Sequence, residues 1–201
     1  MSIGDITNVT TGEVRLSFVH LFKPYAFQAG QEEKYSTTVL LPKTDISTKQ
    51  RIDAAINAAK QKGANGNWNG VVPPVCADPI WDGDGVKQDG TPFGPECKGH
   101  WVFTARSSES YPPEVVDKVG NPIINQTDVY SGCYARVNVE FYPYNFNGKK
   151  GVGCSLGPVQ KLRDGEALGG AAPTAAQAFG TPAPSVAVDP ITGLPVGNTP
   201  F

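Results

Sequence analysis

The stretch that decides the fold runs from Val129 to Gly170 and reads VYSGCYARVNVEFYPYNFNGKKGVGCSLGPVQKLRDGEALGG. From Cys133 its residues alternate. Cys133, Ala135, Val137, Val139 and Phe141 fall on one face and Tyr134, Arg136, Asn138, Glu140 and Tyr142 on the other, the two-residue period of a half-buried strand. In the segment Asn145-Phe146-Asn147-Gly148 an Asn-Gly pair supplies the residues of a tight hairpin turn. The apolar run Val152 to Leu156 returns, followed by a short strand near Val159 to Leu162. The outward face carries flat rings and a guanidinium, groups that stack on unpaired bases and pair with phosphates. Tyrosines on an exposed strand face are also ordinary sheet formers, so the pattern by itself leaves both uses open.

Working outward, Glu13 to Phe22 reads as a strand with Val14, Leu16 and Phe18 inward and Arg15 and Ser17 outward. Lys23-Pro24 should end its regular pairing, because proline has no N–H to give to a ladder. Lys34 to Leu41 is a second strand, with Tyr35, Thr37, Val39 and Leu41 sharing a face and Pro42 closing it. Asp45 caps a helix expected to run to about Lys62, with Ile52, Ile56 and Ala59 along one stripe and Gly63 just past the end. That stripe should plug one end of a barrel. Residues 63–97, rich in Gly, Pro, Asn and Asp, keep neither period and read as an extended loop or arm. Trp101 to Arg106 and Asp128 to Pro143 restore the strand signal, with Tyr111-Pro112-Pro113 and a turn at Gly120-Asn121-Pro122 between them. Short strands, one helix and no βαβ spacing predict a mainly β chain built on a small OB-like barrel.

From Gly165 the composition turns to Ala, Gly, Pro and Thr, with apolar side chains too scattered for a core. The expected organisation is one domain over 1–164, with an irregular acidic insertion at about 63–97, and a flexible tail over 165–201. The chain has 201 residues and a formal net charge of −2. That charge is unevenly spread. Residues 1–62 hold eight Lys/Arg against six Asp/Glu, residues 63–97 one against five, and residues 98–164 eight against six. Two mildly basic, strand-rich regions therefore flank an acidic insertion. No apolar run is long enough to span a bilayer and no signal peptide opens the chain, so a cytoplasmic protein is expected. Cys76, Cys97, Cys133 and Cys154 lack paired spacing, and Cys133 and Cys154 read as small core hydrophobes.

Two constellations invite a metal or enzyme reading. Asp82-Gly83-Asp84-Gly85 with Asp89 beyond is like a calcium loop but lacks the closing glutamate at the required spacing. Cys97 and His100 have half the spacing of a zinc site, with no second pair to complete it. No nucleophile elbow, phosphate-binding loop or zinc-protease motif is present. No catalytic residue, metal or cofactor is expected.

Four blocks carry a resemblance. VRLSFVHLFKPYAF (14–27), KYSTTVLLPKTD (34–45), GPECKGHWVFTARSSESYPPEVVD (94–117) and the opening stretch together resemble a bacteriophage family of single-stranded-DNA-binding proteins with an OB-fold core. The resemblance covers about Gly12 to Gly170. It implies a replication, recombination or repair protein that coats exposed strands in the cytoplasm of an infected bacterium. The candidate nucleic-acid-binding residues are Arg15, Lys23, Tyr25, Lys34, Arg106, Tyr111, Tyr134, Arg136, Tyr142, Tyr144, Lys149 and Lys150. If Lys23, Lys34, Arg136 and Lys149 neutralise about four phosphates, log affinity should fall against log salt with a slope of roughly −3. The final Pro200-Phe201 is similar to the chain end by which bacterial single-strand binders recruit replication and recombination enzymes, but the acidic run that precedes it there is missing. Phe201 is the candidate partner-binding residue. Two other readings stand beside this one: a structural phage β-domain, and a metal-dependent nuclease using Asp82, Asp84 and Asp89.

Overall fold

Eight strands and one long helix make up the described residues, 6–169 of a computed structural model. They are β1 (Asn8–Thr10), β2 (Val14–Tyr25), β3 (Lys34–Pro42), α1 (Ile46–Asn65), β4 (Ile80–Asp82), β5 (His100–Ser108), β6 (Val115–Val116), β7 (Tyr134–Phe146) and β8 (Lys149–Arg163). The sheet closes on itself. β2 pairs with β3, β3 with β5 and β7 with β8, all antiparallel. β5 meets β8 in parallel at Arg106 and Ser155, and β7 returns to β2 at Ala135 and Tyr134. Five strands in the order β2-β3-β5-β8-β7 therefore form the partly open barrel of an OB-fold.

The alternation read from Cys133 to Phe141 is the one observed. Cys133, Ala135, Val137, Val139 and Phe141 are all buried in the barrel core. The helix adds Ile52, Ala55, Ile56 and Ala59 to that core and packs on β1, β7 and β8. Its N-terminus is capped as expected, the Thr48 N–H donating to Asp45 Oδ1 at 3.0 Å. At the other end the helix runs past Lys62 to Asn65. Gly63 is buried inside it because the indole of Trp68 lies where a side chain would be.

Five expectations are corrected. β2 continues through Lys23-Pro24 to Tyr25, at the cost of register shifts between Ser17 and His20 and between His20 and Tyr25. The first shift is a bulge that holds Phe18 at φ 48° and turns its ring outward, 60% exposed, while Leu21 takes the buried place. β7 starts at Tyr134, since residues 126–128 form a 3₁₀ turn with Asn125 accepting from the Thr127 N–H. The return strand is continuous from Lys149 to Arg163.

The fifth correction concerns residues 63–97, which do not simply loop away. Trp68 is 2% exposed and belongs to the main core, and its Nε1–H donates to the Tyr144 carbonyl at 3.0 Å. Further on, Ala77 bridges Gly151 of β8 and β4 pairs with residues 101–103 of β5. The arm thus fills the seam where β5 and β8 part after a single ladder position. Ion pairs fasten it: Lys60 to Asp78 at 2.7 Å, and Lys43 to Asp82 and Asp84 at 2.5 and 2.7 Å.

Residues 165–168 stay on the domain. Arg15 Nη2 donates to the Glu166 carbonyl at 2.6 Å and the Leu168 N–H to the Ser131 carbonyl at 2.7 Å. The tail beyond Gly169, with Phe201, lies outside the described residues.

Candidate nucleic-acid interface

Counting barrel strands only, β3 and β5 are the second and third. Their outward face, with the first-to-second and fourth-to-fifth connections, is where OB-folds take oligonucleotides. The registers set the side chains of that face in rows. Leu40 and Val102 lie abreast with Trp81 of β4. Ser17, Thr38 and Thr104 form the next row, and His20, Ser36, Arg106 and Ser155 the one after. Tyr25, Lys34 and Ser108 end the series. Above these rows runs a groove of about 1750 Å³.

Its walls are aromatic. The β7–β8 hairpin contributes Tyr142, Tyr144 and Phe146, the bulge of β2 gives Phe18, the arm gives Trp81 and Phe93, and Tyr111 follows β5. Two tyrosines lie flat across β8 because the residues beneath them are glycines. A Cβ on Gly153 would sit 2.5 Å from the Tyr142 Cζ, and one on Gly151 2.6 Å from the Tyr144 hydroxyl. The hairpin that presents them turns at Asn147 and Gly148, with φ of 50° and 75°.

The charges of the groove nearly cancel. Lys34, Lys87 and Arg106 line it with Glu32, Asp78, Asp89 and Glu96. Most of these acids have partners: Glu32 with Lys34 at 3.1 Å, Asp78 with Lys60, and Asp89 with the N–H and hydroxyl of Thr91. Arg106 has no carboxylate partner among the described residues. A surface of rings with sparse, partly paired cations suits a ligand that offers flat faces on a charged backbone.

Comparison with known proteins agrees with this geometry. Residues 7–188 match the model of a family described as Enterobacter phage Enc34, ssDNA-binding protein. The chain belongs to that family. A relative, protein p50 of Acyrthosiphon pisum secondary endosymbiont phage 1, is 32% identical over 177 residues, covering 85% of this chain and 91% of its own. Among solved structures, the single-stranded DNA-binding protein from bacteriophage Enc34 in complex with ssDNA is similar with a TM-score of 0.68 and 29% identity, covering 81% of this chain and 90% of that one. The single-stranded DNA-binding protein gp2.5 of bacteriophage T7 shares the fold, with a TM-score of 0.56 and 15% identity over 81% of this chain and 90% of its own.

In this member of the Enc34 family the sequence-derived residues fall in four places. Lys34, Arg106, Tyr111, Tyr142 and Tyr144 line the groove, and Tyr25 lies just past its end beside Lys34. Lys149 and Lys150 flank it on the hairpin, opposite Phe146 and Asn145. Lys23 is exposed on β2 away from the lining. Arg15, Tyr134 and Arg136 are elsewhere: Arg136 Nε donates to the Thr11 carbonyl, and Tyr134 has the Arg163 guanidinium 3.5 Å from its ring centre. Tyr134 and Tyr142 share a face of β7, but eight residues of strand separate them by about 26 Å. The rings missed from sequence are Phe18, Trp81, Phe93 and Phe146. Only Phe146, next to the Asn-Gly turn, carried a local signal.

The acidic constellation has structural work. Asp82 and Asp84 clasp the Lys43 ammonium, which holds both carboxyls below their ordinary range and raises the lysine. Cys97 is buried against Leu40 and Val102, and His100 Nδ1 rests on the Lys98 carbonyl. Burial pushes the Cys97 thiol up to about 11.

No helix among the described residues is long and apolar enough to cross a membrane.

Proposed function

We propose that this protein coats exposed single-stranded DNA, with little sequence preference and without catalysis, during phage DNA replication, recombination or repair in the cytoplasm of the infected bacterium. The observation that carries this reading is the ring-walled groove over β3 and β5, in a chain whose family relative was solved with ssDNA. Bases stack on Tyr142, Tyr144, Trp81 and Phe18, and Arg106, Lys34 and Lys87 meet phosphates. Little sequence preference follows, since every base has a π-face.

Intrinsic fluorescence tests it. The chain has three tryptophans. Trp68 is buried, Trp101 has the ammoniums of Lys43 and Lys49 over its ring at 5.0 and 4.5 Å, and Trp81 lines the groove. Oligo-dT should quench the emission, and Trp81→Phe should remove most of that quenching. A structural β-domain would show none. The salt dependence should be shallower than the sequence implies, because of Lys23, Lys34, Arg136 and Lys149 only Lys34 lines the groove. With about three phosphates met by Lys34, Lys87 and Arg106, the slope of log affinity on log salt should be roughly −2. A slope of −4 or steeper would mean that many cations outside the groove take part.

The glycine seats give a second test. Gly153→Ala should push Tyr142 off β8 and weaken oligo-dT binding by about 1 kcal/mol, the low end for a stacking ring. The melting temperature should barely move, since the atoms displaced are the far end of a partly exposed side chain. Unchanged binding in titrations followed by anisotropy would show that the ring's position over Gly153 does not matter.

A further inference from the structure

Beyond the Lys34–Arg106 end of the groove lies a second, smaller cavity of about 430 Å³, sharing Glu32, Lys34 and Arg106 with the first. Its apolar wall is a built set of rings. His20 and Tyr25 are stacked with centroids 4.5 Å apart and planes within 8°, and Phe27 meets both edge-on at 5.9 and 5.3 Å. Tyr25 and Phe27 are nonetheless half exposed, at 47% and 50%. Burial lowers the His20 pKa and so favours the neutral form of the ring in the stack. On the floor is Ser36, 1% exposed, whose hydroxyl has no hydrogen-bond partner among the described residues. A buried, unpaired hydroxyl is costly unless something arrives to bond it. The Gln28 carboxamide, accepting from Gln31 Nε2 at 3.1 Å, completes the lining.

A flat apolar wall, an unpaired hydroxyl, amides and a cation at the entrance are the complement of one nucleobase and its phosphate. We propose that this cavity is an end subsite for a single nucleotide: the strand leaves the groove past Arg106, and its next base packs on Tyr25 and Phe27 with an edge bonded to the Ser36 hydroxyl. The inference rests on the function proposed above, but adds a discrete last position to it. Arg106, which lines both cavities without a carboxylate partner among the described residues, holds the phosphate between the two nucleotides.

A length ladder of oligo-dT from about 4 to about 16 nucleotides, the range of site sizes for one OB-fold, tests the subsite. With the natural chain, affinity should climb to a plateau at one length. The Tyr25→Ala/Phe27→Ala variant should match it on shorter strands but reach its plateau one nucleotide earlier, losing about 5- to 150-fold at full length. Ser36→Ala, a smaller change at the same place, should lower affinity only at the plateau length, by roughly threefold to tenfold. The subsite is overturned if both variants keep the natural ladder or lose affinity evenly at every length. If no length binds the natural chain, it is instead the single-strand function that fails.

Discussion

The Trp81→Ala/Tyr142→Ala double variant is expected to bind oligo-dT about 2–6 kcal/mol more weakly than the natural chain. Each stacking ring contributes about 1–3 kcal/mol, and the two sit on separate elements, so their losses should nearly add. Tyr142 is 43% exposed and Trp81 half-buried, so the melting temperature should change little. Tyr134→Ala is the internal control. Tyr134 shares Tyr142's face of β7, but its ring is covered by Arg163, itself paired with Glu13 at 2.6 Å. It should leave DNA affinity intact. Anisotropy titrations with labelled oligo-dT decide the matter: equal losses from Tyr134→Ala and Tyr142→Ala would mean that DNA follows β7 along its length and not the groove.

Trp68→Ala should have the largest effect on stability. Removing a buried indole costs about 3–5 kcal/mol, which for a domain of this size lowers the melting temperature by roughly 6–20 °C. Gly63 cannot fill the space, and the Tyr144 carbonyl loses the indole N–H that bonds it. The loss should reach the groove as well, because Tyr144 is one of its walls. Trp68→Phe separates the parts, keeping most of the packing and losing a hydrogen bond of about 0.5–1.5 kcal/mol. Thermal melts followed by circular dichroism would measure both. A melt for Trp68→Ala within a few degrees of the natural chain would refute the role given to this indole.

What the sequence made legible was what local periodicity encodes. The alternation from Cys133 to Phe141, the Asp45 cap and the Asn147-Gly148 turn each depend on neighbours a few residues away, and each is found as read. Phe18 shows the limit. A two-residue period continued from Val14 and Leu16 places it inside, and only the bulge, set by pairing with β3 some twenty residues on, turns it out. Trp68 and Trp81 were hidden for a different reason. They lie among Gly, Pro and Asn with no periodicity of their own, and their surroundings come from β7, α1 and β5. Of the candidate site, the hairpin tyrosines were visible and the rings of the arm were not. Arg15, Arg136 and Tyr134 show the converse, since an outward-facing position does not say which end of a long strand reaches the groove.

The seam of the barrel bears on how the length of this chain can vary. Surface connections ordinarily absorb insertions and deletions with little penalty. Here that freedom is divided within a single connection. Between Lys87 and Thr91 the backbone makes a local turn, the Lys87 N–H donating to the Thr91 carbonyl, and its exposed tip at Gly90 can lengthen into solvent while Lys87 and Phe93 keep their places on the groove. Between Ala77 and Asp82 it stands in for a missing stretch of ladder between β5 and β8, so a deletion of even two residues would leave N–H and C=O groups of both strands unpaired. Segments grafted into this domain therefore belong at the Gly90 tip, and a minimal version of the barrel must keep residues 77–82 although they lie outside its five strands.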